Sequence, residues 1–284
     1  MANPRPEELS ERRKRLDDLG ARYKIASDVR IESVEANGVS AEWSSTPHAE
    51  PTCVILFLHG GGYVSGSLTS HRPLTTEIGR VCRARTLALQ YRLAPEHPFP
   101  AAIEDAVAGY RFLLSCGIEP RHIAVAGDSA GGALTLALMV SARDAGLPQP
   151  ACGWCISPWT DLECLGASMT SKAAVDPLIQ KSYLKELAKA YLNGADPRSA
   201  LAAPLYANLK GLAPLLIQVG SAETLLDDAV RLASVAGAAD LAVTLEIWPD
   251  MIHAWPLFHQ QLTAGRHAIA RAGAFIRSRM SMPF

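Results

Sequence analysis

Short apolar runs punctuate the chain at Val54–Leu58, Thr86–Leu89, Ile123–Ala126, Ala151–Ile156, Leu215–Val219 and Val243–Trp248. Each is strand-sized and nearly continuous, the pattern of strands buried on both faces of a sheet. Between them lie longer stretches with apolar residues at helical spacing: His71–Val81, Ala101–Leu114, Gly131–Ala145, Leu225–Ala236 and Phe258–Arg277. This alternation predicts an α/β fold with a mostly parallel central sheet flanked by helices. Upstream, Ile31–Glu35 and Val39–Trp43 flank Ala36-Asn37-Gly38. The Asn-Gly pair favours a tight hairpin turn, which would give the sheet an antiparallel start.

Two segments fall outside the alternation. One is a charged helical stretch before Leu19; the other runs from Glu163 to about Leu205, between two core strands. The second holds a predicted helix from Asp176-Pro177 to Tyr191 and then the turn-rich NGADPRS. Polar, turn-broken segments beyond strand ends suit a lid over a site. The expectation is therefore one domain over residues 1–284, with a cap built from about 1–28 and 163–205. The sequence shows no internal repeat, low-complexity tract or inter-domain linker.

Composition narrows the class. The chain has 284 residues, 49% hydrophobic and 19% charged, with a net charge of -1. That balance supplies no broad basic field for phosphate backbones or anionic lipid, so nucleic acid is not an expected partner. The basic cluster Arg12, Arg13, Lys14 and Arg15 is bracketed by Glu7, Glu8, Glu11, Asp17 and Asp18, as on a solvated helix face. No stretch reaches the roughly 18 apolar residues of a membrane span, and the N-terminus lacks the apolar core of a secretory leader. A cytoplasmic protein is expected. Six cysteines in this length do not make a disulfide scaffold. Cys152 and Cys155 form a C-x-x-C, but within an apolar run that reads as a buried strand, so structural thiols are expected there.

The sharpest chemical signal is Gly127-Asp128-Ser129-Ala130-Gly131, a G-x-S-x-G between the run Ile123–Ala126 and the helical stretch ALTLALMV. Strand, sharp turn and helix form the setting in which flanking glycines expose a nucleophilic serine. A second signal, His59-Gly60-Gly61-Gly62, follows the strand Val54–Leu58. Consecutive glycines carry an entropic cost, and backbone N–H groups aimed at an anion supply a reason for it. Gly61, Gly62 and the N–H of Ala130 are thus candidate oxyanion donors. His59 is expected to position the loop, and Asp128 to support the nucleophile by a hydrogen bond.

An acid and a base should follow the elbow in the order Ser, Asp or Glu, His. The strand Leu215–Val219 runs into GSAETLLDD, and Val243–Trp248 into PDMIH, so both sets fall at carboxyl ends of strands. His253 is the candidate base. Glu223, nearest the strand end, is preferred as the acid, with Asp227, in the first turn of the next helix, as the alternative.

HGGGYVSGS, YRLAPEHPFPAAIEDA, AGDSAGG, SPWTDL, VGSAETLLDDA and IHAWPLF, spread from about Val54 to Leu257, together resemble the hormone-sensitive-lipase-like branch of bacterial esterases, often called family IV. The resemblance implies an α/β-hydrolase core with a helical cap. It also implies serine carboxylesterase action on short to medium acyl esters, no metal or organic cofactor, and a possible homodimer. Many relatives carry aspartate where Glu223 stands, which keeps Asp227 in play. Amide or lactone hydrolysis would use the same parts. A non-catalytic receptor on this fold would keep the serine and glycines but lack the histidine at 253.

Overall fold

The structure, a computed structural model, describes residues 6–280. Its sheet has eight strands: β1 (Arg30–Ala36), β2 (Val39–Ser45), β3 (Glu50–Leu58), β4 (Ala84–Leu89), β5 (Ile123–Asp128), β6 (Cys152–Ile156), β7 (Leu215–Gly220) and β8 (Val243–Trp248). They lie in the order β1-β2-β4-β3-β5-β6-β7-β8. From β4 to β8 neighbours are parallel, while β2 runs antiparallel to both β1 and β4. The predicted hairpin is present: Asn37 and Gly38, at φ 52° and 87°, supply the two positive dihedrals that a tight two-residue turn between twisted strands requires.

Eight α-helices connect and cover the strands: α1 (Leu9–Ala21), α2 (Leu68–Cys82), α3 (Ala101–Ser115), α4 (Ala130–Asp144), α5 (Ser168–Ser171), α6 (Lys181–Leu192), α7 (Leu226–Ala238) and α8 (Thr263–Arg279). The pleat of β3 shows how the sequence sorts the layers. Val54, Leu56 and Leu58 face α3 and α4, whereas Ile55 and Phe57 face α2 and α8, all fully buried. The continuous apolar run is thus a strand with a core on each side, and the mostly parallel α/β expectation holds. Among the described residues, no helix is long and apolar enough to cross a membrane.

Three local expectations need correction. The stretch Phe258–Arg277 is not one helix: a 3₁₀ turn spans Trp255–Phe258, and α8 begins only at Thr263. The helix expected from Asp176 begins at Lys181, because the Asp176 carboxylate accepts the amides of Leu178 and Ile179, each at 2.9 Å, and holds them in a turn. Strand β8 is not buried on both faces; it is a sheet edge, with Ile247 47% exposed. Cys152 and Cys155 both lie in β6, but Cys152 packs with the α2–α8 layer and Cys155 with the α4–α7 layer. On opposite faces they share neither a bond nor a ligand, and burial pushes the Cys155 thiol up to about 12.

Candidate active site

Between β5 and α4 the backbone turns so sharply that Ser129 adopts φ 55° and ψ −119°, a region that side-chain-bearing residues rarely occupy. Surrounding contacts hold the strain in place. The Ser129 amide donates to the Ile156 carbonyl at 2.8 Å, and its own carbonyl accepts from the Trp159 amide at 3.0 Å. The flanking glycines are required by close approach: a Cβ on Gly131 would sit 1.9 Å from the Leu58 carbonyl oxygen, and one on Gly127 2.3 Å from that of Gly131. The serine is therefore presented at the N-terminus of α4, at the carboxyl end of the parallel sheet.

His253 and Glu223 reach the same place from the ends of β8 and β7. The His253 Nδ1 and a Glu223 Oε2 are 2.8 Å apart. The other oxygen of Glu223 accepts from Ser157 Oγ at 2.7 Å and from the Gly220 amide at 2.6 Å, and the side chain is fully buried. Three donors on one carboxylate fix its plane, and with it the face that the imidazole presents. Burial disfavours a charged His253, but the hydrogen bond and charge of Glu223, with lesser contributions from Asp176 and Asp128, outweigh it and raise the pKa. Asp227 lies elsewhere: its carboxylate accepts the Ser168 amide at 2.9 Å.

The glycine loop forms another wall. Gly61 and Gly62 have φ of 119° and 65°, and Gly62 lies under the Leu187 side chain, where a Cβ would approach within 2.3 Å. Among the described residues, the amides of Gly61, Gly62 and Ala130 donate to no protein acceptor. His59 points away from the reacting region. Its ring stacks on Tyr91 at 4.2 Å and its Nδ1 lies 2.8 Å from the Gly60 carbonyl. Burial first, then His71 nearby, brings the His59 pKa down to about 3, so the ring is neutral. Asp128 accepts the Gly60 amide at 2.9 Å and meets His71 Nε2 at 3.2 Å. Burial opposes the charge on Asp128, yet His71 first, then His253 and the Gly60 amide, hold its carboxyl below the usual value.

Ser129, His253, Gly61 and Gly62 open onto one cavity of about 640 Å³. Its other wall comes from Leu16 and Leu19 of α1, the turn Pro177–Gln180, and Tyr183, Leu184 and Leu187 of α6. The surface is chiefly apolar, with polar groups at Ser129 and His253 on one side and Arg12, Arg15 and Gln180 on the cap side. Residues 1–5 of the expected cap lie outside the described residues.

Three contributors escaped sequence reasoning. Ser157 stands in the SPWTDL segment, where only its place at the end of β6 hinted at a role. His71 looked like the start of a helical stretch. Asp176 accepts the Thr224 amide at 2.8 Å and so ties the insert to the residue after Glu223. Arg92 pairs with Glu104 and Asp105, and Glu96 with Arg13.

A family model described as the α/β hydrolase fold matches residues 55–257. An acetyl-hydrolase of Streptomyces hygroscopicus is 50% identical over 239 residues, 84% of this chain and 80% of its own. An esterase of Acinetobacter venetianus is 33% identical, covering 93% and 87%. A crystal structure of an esterase from the bacterial hormone-sensitive lipase family superposes with a TM-score of 0.97 at 46% identity, over 98% of this chain and 94% of that one. A hormone-sensitive lipase from a metagenome library gives 0.95 at 39%, over 98% and 94%. The chain thus belongs to the α/β-hydrolase fold family, in its bacterial hormone-sensitive-lipase-like branch, and is an esterase-class hydrolase.

Proposed function

We propose that the chain cleaves short to medium acyl esters through an acyl-enzyme, with Ser129 as nucleophile, His253 as general base and Glu223 as the carboxylate that orients it. The observation that carries this reading is the 2.8 Å contact between His253 Nδ1 and the buried Glu223, on a cavity that Ser129 also lines. With Nδ1–H donated to the carboxylate, Nε2 is free to accept the serine proton. Ser129 Oγ attacks the ester carbonyl, and the oxyanion meets the unpaired amides of Gly61, Gly62 and Ala130. His253 returns its proton to the leaving alcohol; water then attacks the acyl-enzyme by the same route. Every proton in this sequence moves between Ser129, His253, alcohol and water. Glu223 stays ionised and stabilises the imidazolium.

The cap in this account is α1 together with the insert at about 163–205, which bounds the acyl and alcohol groups. The Streptomyces relative is an acetyl-hydrolase, which supports the short end of the acyl range. That term names no bond type, so an acetyl amide belongs in the assay beside esters. We further propose a cytoplasmic protein whose exposed β8 edge pairs with a second copy, a state that a solution mass measurement reads directly.

The test is turnover of p-nitrophenyl esters of increasing acyl length, beside p-nitroacetanilide and one lactone. Ester turnover peaking at short or medium chains and abolished by Ser129→Ala supports the reading. Turnover of the amide or lactone alone moves it to those bonds. Ligand binding without turnover of any of them replaces it with a receptor.

A further inference from the structure

The oxyanion loop is gripped from two sides, and one grip runs through side chains that the catalytic steps above do not use. Asp128 directly precedes Ser129, and its buried carboxylate holds the Gly60 amide at 2.9 Å, one residue before the proposed donors Gly61 and Gly62. A buried carboxylate needs its remaining lone pairs satisfied, and His71 Nε2 is at 3.2 Å. The other ring nitrogen of His71 lies 2.8 Å from Ser70 Oγ. Ser70 Oγ in turn accepts the Ser67 amide at 2.8 Å, and Ser67 Oγ donates to Asp17 on α1. An unbroken hydrogen-bonded chain thus joins a cap helix to the residue beside the nucleophile.

The seat of α1 is close as well. Gly20 packs so tightly on the start of α2 that a Cβ there would lie 2.5 Å from the Thr69 carbonyl oxygen and 2.6 Å from Ser70 Cα. Nearer the loop, Arg13 of α1 donates to the Val64 carbonyl at 2.8 Å. Ser67 and Ser70 also form the capping box of α2, which accounts for their bonds to each other; the extension from Ser70 through buried His71 to Asp128, and from Ser67 to Asp17, is more than that cap requires. His71 and Asp128 also line the catalytic cavity, next to Ser129.

We infer that Asp17, Ser67, Ser70 and His71 form a positioning relay, through which the seating of α1 fixes Asp128 and the Gly60 amide and so aims the amides of Gly61 and Gly62. This rests on the proposed role of those two amides. His71 is a positioning residue, since it acts on Gly60 and Asp128 and takes no proton from substrate.

The relay is tested by kcat and KM for p-nitrophenyl acetate in Ser70→Ala, His71→Ala, His71→Gln and Asp17→Ala, with melting temperature and with inhibition by a trifluoromethyl ketone that forms an oxyanion. Misplaced donors should lower kcat by about ten- to a hundredfold, leave KM little changed, and weaken the ketone by a similar factor. His71→Gln, which keeps a donor, should recover part of the loss. Asp17→Ala combined with His71→Ala should be no worse than His71→Ala alone, because both cut one chain. Gly20→Ala, which lifts α1 from Ser70 without removing a hydrogen-bonding group, should also lower kcat. Lys14→Ala on the exposed face of α1 should leave it unchanged.

Folded His71→Ala with wild-type kcat, a loss confined to KM, or additive single effects would overturn the relay. If His71→Ala does not fold, Ser70→Ala and Asp17→Ala decide by the same criteria. A wild type without ester turnover would instead remove the proposed function, and the relay with it.

Discussion

Two regions meet at the cavity and are built on different plans. The floor consists of strand ends and tight turns, where Ser129, Glu223 and His253 are each 7% exposed or less and their neighbours are backbone groups at fixed positions. The roof, made of α1 and the segment from Pro177 to α6, is an apolar surface of Leu16, Leu19, Leu184 and Leu187. Its outer side carries exposed ion pairs such as Lys14 with Asp18. A floor of this kind tolerates no displacement, since proton transfer and oxyanion binding depend on tenths of an ångström. The apolar side chains of the roof can change shape with little effect on the floor, whereas the seating of α1, through the inferred relay, reaches it. On the proposed mechanism, substitutions of floor residues and of the roof's apolar side chains should therefore have different signatures.

The largest effects belong to the floor. Ser129→Ala should lower kcat by at least about 10⁴-fold, with an unchanged melting temperature, because only a hydroxyl is removed. Glu223→Gln should cost about 10⁴-fold in kcat, since the amide can hold the imidazole in the wrong tautomer. Asp227→Asn keeps an acceptor for the Ser168 amide and should leave kcat near wild type. Equal losses in the two acid variants would contradict the division of roles between Glu223 and Asp227.

The pH profile sharpens the same point. General-base action needs neutral His253, and its raised pKa places the acid limb of kcat/KM above the ordinary histidine value of about 6.5. Activity is full above that pKa and falls as pH drops through it. In Glu223→Gln the residual limb should move to lower pH, because the partner that favours the cation is gone. The linked stability has the opposite sense: protonated His253 beside Glu223 adds stability that is fully present below the unfolded pKa and lost as pH rises through the folded one.

Roof substitutions should be gentler. Leu184→Ala or Leu187→Ala should alter the preference among acyl or alcohol groups by no more than about 1–3 kcal/mol, mostly in KM, read from kcat/KM across an ester series. Smallest of all, Lys14→Ala breaks an exposed pair on α1 and should change stability by less than about 0.5 kcal/mol, read from denaturant midpoints.

The same contrast governs what the sequence reveals. The floor was legible because its demands are local: Gly127, Ser129 and Gly131 lie within one turn, and the glycine run Gly60–Gly62 follows directly on β3. The preference for Glu223 over Asp227 used only distance from a strand end, and the structure brings Glu223 to His253. The supports were not legible, since they join distant segments. His71 meets Asp128 across 57 residues, and Asp176 meets Thr224 across 48. No local pattern marks such pairs. The start of α6 was misplaced for the same reason: Asp176 and Pro177 resemble a helix start, but the carboxylate is committed to Thr224 and to the turn that precedes the helix. In β8 the apolar residues fit a buried strand, while its place as the last apolar strand pointed to an edge, and the structure puts it there with Ile247 exposed.

The central claim is that Ser129 becomes the covalent nucleophile under control of His253. Treating the protein with a p-nitrophenyl phosphonate ester, weighing the intact product and mapping its peptides tests this most directly. The account predicts one phosphonyl group per chain, on Ser129, formed far more slowly in His253→Ala. Modification of another residue, or an equal rate without His253, would contradict it.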